Sequence, residues 1–236
     1  MPFHKKTIWL TASWVFIFTF IISVFTVAKA QAPLKDPIAR ELSKKKWKVI
    51  DGFRSAKFGM DEKQVVRSIR KDFKVPKTTV QRSKNSREKT TVLRITLPEL
   101  LPLGGPAKIN YIFGFKSKTL MHVSILWGKG AAEKVDAQSV VDVANFLRAH
   151  FLKNRYKKEK FVSNRRINDR EILIFQGLDK KNRAIILTLV GPAKNIAQNP
   201  KNLLQEYSLQ LRYILNTENP DIFNPILDVF NPIQKK

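Results

Sequence analysis

The 236-residue chain carries 44 Lys and Arg against 19 Asp and Glu, a formal net charge of +25, with 43% hydrophobic residues, 16 Phe and no Cys. Its apolar content suits one or two ordinary domains with a real core and argues against a disordered basic tail. Without cysteine there are no disulfides, thiolate nucleophiles, Cys-ligated zinc or lipid-bearing anchor cysteine, while the excess of positive charge points to polyanionic surroundings: nucleic acid, anionic lipid, lipopolysaccharide or an acidic polymer.

The amino terminus ranks these partners. His4-Lys5-Lys6 is a short cationic start, Ile8 to Val27 is apolar apart from Thr and Ser, and Ala28-Lys29-Ala30 fits a small-x-small cleavage pattern. Cleavage is expected after Ala30. The apolar run, residues 8–27, is also long enough to span a bilayer as a retained anchor with its positive end inside. Both readings stay open, and both place the folded part outside the cytoplasmic membrane, in the periplasm. Export argues against nucleic acid as a partner. None of the 19 acids precedes Gln31, so the exported part sets 41 cations (44 less Lys5, Lys6 and Lys29) against all of them.

Residues 31–46, with Pro33, Pro37 and Lys44-Lys45-Lys46, read as a basic linker. The folded part is expected to begin at Trp47. Gly52-Phe53 follows, then a capping-box pattern in which Asp61 caps a helix and Gln64 stands three residues on. Val65, Val66, Ile69 and Phe73 form that helix's apolar face, Arg67, Arg70 and Lys71 point outward, and Pro76 limits it. Strands are predicted at Thr78–Arg82, Thr90–Leu97, Lys108–Phe115 and Leu120–Trp127, with Ser83–Lys89 a polar loop. A second unit opens at Asp136, again a suitable cap. Val140, Val143, Ala144, Leu147 and Phe151 stripe one helix, and strands are predicted at Lys160–Ser163, Glu171–Gln176, Arg183–Val190 and Glu206–Leu215.

One helix followed by four strands therefore occurs twice. The expected fold class is α+β, a tandem repeat of one helix packed on a four-stranded antiparallel sheet. The units would span residues 47–130 and 131–216, behind a signal or anchor (1–30) and the linker (31–46). Residues 217–236 form an Asn-Pro-rich tail with a close repeat, Asp221-Ile222-Phe223-Asn224-Pro225-Ile226 and Asp228-Val229-Phe230-Asn231-Pro232-Ile233. Asn-Pro steps block a continuous helix or central strand. The tail either docks its Phe and Ile side chains on its own domain or serves as a peptide ligand for another protein.

The segment Gly59-Met60-Asp61 through Gln64-Val65, entering an amphipathic helix, resembles the Gly-Met-[Ser/Thr]-x-x-[Glu/Gln]-Val opening of small bacterial envelope domains. These are of the outer-membrane-assembly small lipoprotein type, related in fold to the β-lactamase-inhibitor protein. The fuller string Gly-Phe-Arg-Ser-Ala-Lys-Phe-Gly-Met at 52–60 resembles a family of uncharacterised secreted bacterial proteins, and Trp127-Gly128 belongs to the same likeness. Asp61 stands where a hydroxyl cap is usual, which is chemically equivalent. With no cysteine to carry a lipid, a lipoprotein role and the assembly function are not carried over.

Catalytic groups are sparse. His122 lies on a strand face opposite Val123 and Ile125, and His150 sits late in a helix beside Phe151; a surface or helix-end role explains each. No nucleophile elbow, zinc motif, calcium loop or phosphate-binding glycine loop is present, so no catalytic, metal or cofactor-binding residue is assigned and no cofactor is expected. The positive clusters are the stronger signal. Lys153, Arg155, Lys157, Lys158, Lys160, Arg165, Arg166 and Arg170, interleaved with Tyr156 and Phe161, form a candidate anionic-surface site. Lys44, Lys45, Lys46, Trp47 and Lys48 form a candidate membrane-proximal site. The expected function is a non-enzymatic exported envelope protein, a protein- or peptide-binding module with basic faces near anionic lipid or lipopolysaccharide. The alternative is a hydrolase or transferase acting on an acidic envelope polymer.

Overall fold

A computed structural model describes residues 44–192 and 204–224, all within one compact unit, Pro37–Lys236. The expected signal or anchor at 8–27, its cleavage at Ala30, most of the linker and the second copy of the tail repeat lie outside the described residues. Among the described residues no helix is long and apolar enough to cross a membrane.

The folded part opens with a two-stranded ribbon, β1 (Gly52–Phe53) and β2 (Ala56–Lys57), followed by helix α1 (Glu62–Phe73). The 52–60 string is built to lock these together. Gly52 has φ 142°, and a Cβ there would stand 2.1 Å from the Ala56 carbonyl oxygen, so glycine is needed. Ser55 donates its N–H and hydroxyl to the Asp72 carboxylate at 2.9 and 2.6 Å. The Arg54 guanidinium lies 4.6 Å from the Phe73 ring centre. Asp61 completes its capping box, accepting from the Gln64 N–H at 2.8 Å while Gln64 accepts from the Asp61 N–H at 2.9 Å. Val65 and Ile69 are buried.

Four strands follow: β3 (Gln81–Lys84), β4 (Thr91–Leu97), β5 (Ala107–Phe113) and β6 (Leu120–Gly128). Helix α2 (Ala137–Leu152) precedes β7 (Val162–Arg166), β8 (Glu171–Leu178), β9 (Ala184–Val190) and β10 (Ser208–Ile214). All eight strands join in one antiparallel sheet in the order β3-β4-β5-β6-β10-β9-β8-β7. The expected pair of helix-on-four-strand units is therefore overturned. The protein is mostly β, with two helices, one eight-stranded sheet and the small ribbon. Each predicted unit left β6 or β10 with an unpaired edge. Those edges satisfy each other from Ser208↔Gly128 to Ile214↔His122, since exposed N–H and C=O rows favour pairing.

A buried row crosses the sheet through neighbouring strands: Ile95, Ile109, Ile125, Leu211, Leu187 and Phe175. Both helices and the ribbon contribute to the same core cluster. Two outer strands differ from expectation. Lys77–Thr79 form a 3-10 turn after Pro76, so β3 begins at Gln81 and takes in residues assigned to a loop. Strand β7 starts two residues later than predicted and runs to Arg166. Every residue of β3 is exposed, as are the last three of β7, so neither carries the apolar alternation that reveals a strand in sequence.

Asp179, 2% exposed at the β8–β9 turn, ties the chain entry to this sheet. Its carboxylate accepts the N–H groups of Ile50, Lys181 and Arg183 at 3.0, 2.8 and 3.0 Å, and the Arg183 guanidinium at 2.7–2.8 Å. Burial raises its carboxyl pKa, but these hydrogen bonds outweigh burial and hold it below the ordinary carboxylate range. A carboxyl lowered in the folded state stabilises fully above its unfolded value and loses that share as pH falls through the folded one. Asp179→Ala is thus expected to cost about 3 kcal/mol in denaturant titrations at pH 7. The gap from the natural protein should narrow as pH drops below about 4.

A basic and aromatic groove as candidate functional site

The end of α2 meets the chain entry. Asp136 caps α2 by accepting the Gln138 N–H at 3.0 Å, and the buried stripe Val140, Val143, Ala144, Leu147 and Phe151 seats the helix on the sheet. At its far end Lys45 donates its ammonium to the Leu152 oxygen at 2.9 Å, a cation at the negative helix end. Alongside, Arg155 donates its N–H to the Lys46 carbonyl at 2.9 Å and Lys48 donates to the Arg155 carbonyl at 3.0 Å. These bonds fix the Arg155 guanidinium 4.6 Å from the Trp47 ring centre, with the Lys180 ammonium at 5.0 Å.

Beside this pairing lies a groove of about 440 Å³, walled by Leu152, Tyr156 and Phe161 and rimmed by Lys45, Arg155 and Lys158. Tyr156 is buried, and burial pushes its hydroxyl pKa up. Its ring stacks on Phe161 at 6.4 Å, and both meet Phe175 edge-on at 5.1 and 5.7 Å. Gly177 makes room, since a Cβ there would stand 2.5 Å from the Tyr156 ring. Phe161 remains 40% exposed. The result is an aromatic wall rimmed by cations, suited to an acidic head with an apolar body.

The structure thus merges parts of two clusters that are more than a hundred residues apart in sequence. Lys45, Arg155 and Lys158 meet at the groove; Trp47 and Lys48 flank it. Lys44 and Lys46 are exposed beside it, and Lys153 is exposed at the cap of α2. Lys157 donates its N–H to the Leu178 carbonyl at 2.9 Å and its ammonium to Asn182. Lys160 ends the 3-10 turn Lys158–Lys160, where its carbonyl accepts from Gln176. Arg165, Arg166 and Arg170 do not join the groove. Arg165 and Arg166 lie on β7, Arg166 pairs with Asp169 at 3.3 Å, and Arg170 donates to the Gly191 carbonyl at 3.2 Å.

Two further sites escaped the sequence reading. Lys63, Arg67, Arg70, Lys77 and Arg82 ring a groove of about 460 Å³ floored by Val66, Val80 and Leu93. The Lys63, Arg67, Arg70 spacing on α1 was its available signal. A larger cavity, about 680 Å³, lies where β5, β6 and β10 meet the chain after β10, and Ile112, Met121, His122 and Ile214 contribute to its lining. His122 is not the surface residue expected. It is largely withdrawn, and its Nε2 is buried with no hydrogen-bond partner among the described residues. Burial, then the Arg212 charge, lowers it to about 4, so the imidazole is neutral. His150, at the end of α2, is also lowered, by burial and by Lys48 and Lys153. Among the described residues no group of three or more His, Asp or Glu could hold a metal ion.

No protein-family model matches the chain, and neither the curated proteins nor the solved structures include a match. The functional reading therefore rests on these side chains.

The withdrawn imidazole has a measurable consequence. A histidine lowered from about 6.5 to about 4 takes up its proton first in the unfolded chain, so its contribution to stability is full above pH 6.5 and falls towards pH 4. The loss approaches roughly 3 kcal/mol. Denaturant midpoints measured from pH 7 to 4 are expected to decline less in His122→Gln than in the natural protein.

Proposed function

We propose that the protein is a non-enzymatic exported envelope protein. It is a protein- or peptide-binding module whose basic groove holds it against anionic lipid or lipopolysaccharide. The observation that carries this reading is the convergence of Lys45, Arg155 and Lys158 on the Leu152, Tyr156 and Phe161 wall, with Trp47 alongside between two cations. Near an anionic surface each basic group contributes about 1 kcal/mol, and the aromatic wall offers an apolar surface to the first carbons of an acyl chain. The groove also lies close in sequence to the proposed membrane segment. Residues 31–43, between Ala30 and Lys44, reach roughly 45 Å at full extension, so a retained anchor keeps this end of the protein within reach of the bilayer.

The chain from Gln31 onward contains the whole compact unit and can be tested on vesicles by co-sedimentation. Binding to phosphatidylglycerol vesicles is expected at low salt, weakening steeply as salt rises, with none to phosphatidylcholine. The double change Lys45→Glu and Lys158→Glu should reduce that binding more than about tenfold. Arg165→Glu with Arg166→Glu, the same change in net charge on β7, should reduce it only about two- to threefold through the long-range field. Equal losses from the two pairs, or no binding at low salt, would refute the role of the groove.

A further inference from the structure

Helix α1 and the edge strand β3 border the groove of about 460 Å³ described above. Lys63, Arg67 and Arg70 stand at i, i+4 and i+7, a row of cations spread over roughly 10 Å of helix at ~1.5 Å per residue. The chain that follows adds Lys77, in the 3-10 turn, and Arg82, on β3. Val66 and Val80 lie half-buried among these charges, with the buried Leu93 beside them. The row is unfavourable for the protein alone. Like charges three and four residues apart on a helix repel, and Lys63 occupies the first turn, where the helix dipole favours acids. Among the described residues, the side-chain charges of Lys63, Arg67, Arg70 and Lys77 meet no ion pair, hydrogen bond or aromatic ring.

Arg82 differs, and its partner indicates what the groove takes. Its Nε and Nη2 donate to the two carboxylate oxygens of Glu62 at 2.7 and 3.0 Å. A planar fork of this kind suits a carboxylate or a phosphate. The apolar floor decides between them. A phosphate brings nothing to cover Val66 and Val80, whereas a peptide can lay an apolar side chain there with carboxylates on either side. We propose that this groove binds an acidic peptide segment of a partner protein, which rests on the peptide-binding reading above and gives it a site and a ligand class. An apolar side chain of the ligand covers the valine floor, and its carboxylates neutralise the surrounding cations. Glu62 is a resident competitor for the Arg82 fork, so an incoming carboxylate has to displace it.

Fluorescence anisotropy with two labelled peptides tests this on the chain from Gln31 onward: an amphipathic peptide of Glu and Leu, and an oligoglutamate with the same number of glutamates. The Glu-Leu peptide should bind at least about threefold tighter, through the floor. Arg67→Glu with Arg70→Glu should weaken it more than about tenfold. Lys45→Glu with Lys158→Glu, the same change in net charge at the other groove, should cost only about two- to threefold. Glu62→Gln, which releases Arg82, should tighten binding at least about threefold, while Glu133→Gln, an equal charge change at an exposed acid outside the groove, should leave it almost unchanged. Should the reversed charges disturb α1, Arg67→Gln with Arg70→Gln keeps the ranking with a smaller loss. Equal affinity for the two peptides, equal losses from the two grooves, or no gain in Glu62→Gln overturns the proposal. So does a larger loss of phosphatidylglycerol-vesicle binding in Arg67→Glu with Arg70→Glu than in Lys45→Glu with Lys158→Glu, because the groove would then be a lipid site. Vesicle binding that is absent while the peptide ranking holds supports this site and refutes only the membrane role of the other groove.

Discussion

The fold depends on the pairing of β6 with β10. Seven residues on each strand face one another across the middle of the sheet, with Val123 opposite Tyr213, Ile125 opposite Leu211 and Trp127 opposite Leu209. Residue pairs from 80 (Ser208 and Gly128) to 92 (Ile214 and His122) positions apart are joined at this seam, which is costly in chain entropy and must be repaid by burial on both sides. Burying Ile125, Trp127, Leu209 and Leu211 at the centre supplies it: each fully buried large apolar side chain contributes roughly 1.5–3 kcal/mol. Because the seam is central, its loss would leave two open sheets with unpaired inner edges rather than one shortened sheet.

That continuous sheet is what gives the groove its shape. Helix α2 contacts β6, β8, β9 and β10, so its end is set by strands from both sides of the seam. Phe151 and Phe175 touch at 5.2 Å, and Tyr156 and Phe161 build outward from Phe175. The basic entry segment is then pinned twice, by the Lys46, Lys48 and Arg155 backbone bonds and by Ile50 on the buried Asp179 carboxylate. The cations are presented from a pinned backbone, so less backbone entropy remains to be lost when an anion is bound.

The sequence was most legible where local chemistry decides structure. Asp61 and Gln64 form the capping box expected of them, and the alternation in β4, β5 and β6 places Leu93, Ile109 and Ile125 in the core. The join between β6 and β10 was not legible, because periodicity says which face of a strand is buried and nothing about which strand lies beside it. The groove was half legible. Lysine and arginine runs mark Lys45, Arg155 and Lys158, yet only the backbone pairing of Trp47 with Arg155 unites them, and nothing in the run itself separates Arg165 and Arg166 from Lys158. His122 was misjudged because strand alternation assigned it to an open face, whereas the chain after β10 borders the cavity in which it lies.

The two outermost strands set a limit on how a partner can bind. An open sheet usually invites a visiting peptide to pair along its edge, yet β3 offers Gln81-Arg82-Ser83-Lys84, fully exposed and twice cationic. On the far side, β7 ends in Arg165-Arg166, and Asn164, at φ 52°, breaks its ladder between Ser163↔Phe175 and Arg165↔Leu173. Both borders repel extension by a further strand, whether from a ligand or from a second copy. Recognition is thereby steered away from backbone addition and towards side-chain pockets on the faces and turns, where sequence and charge can be discriminated.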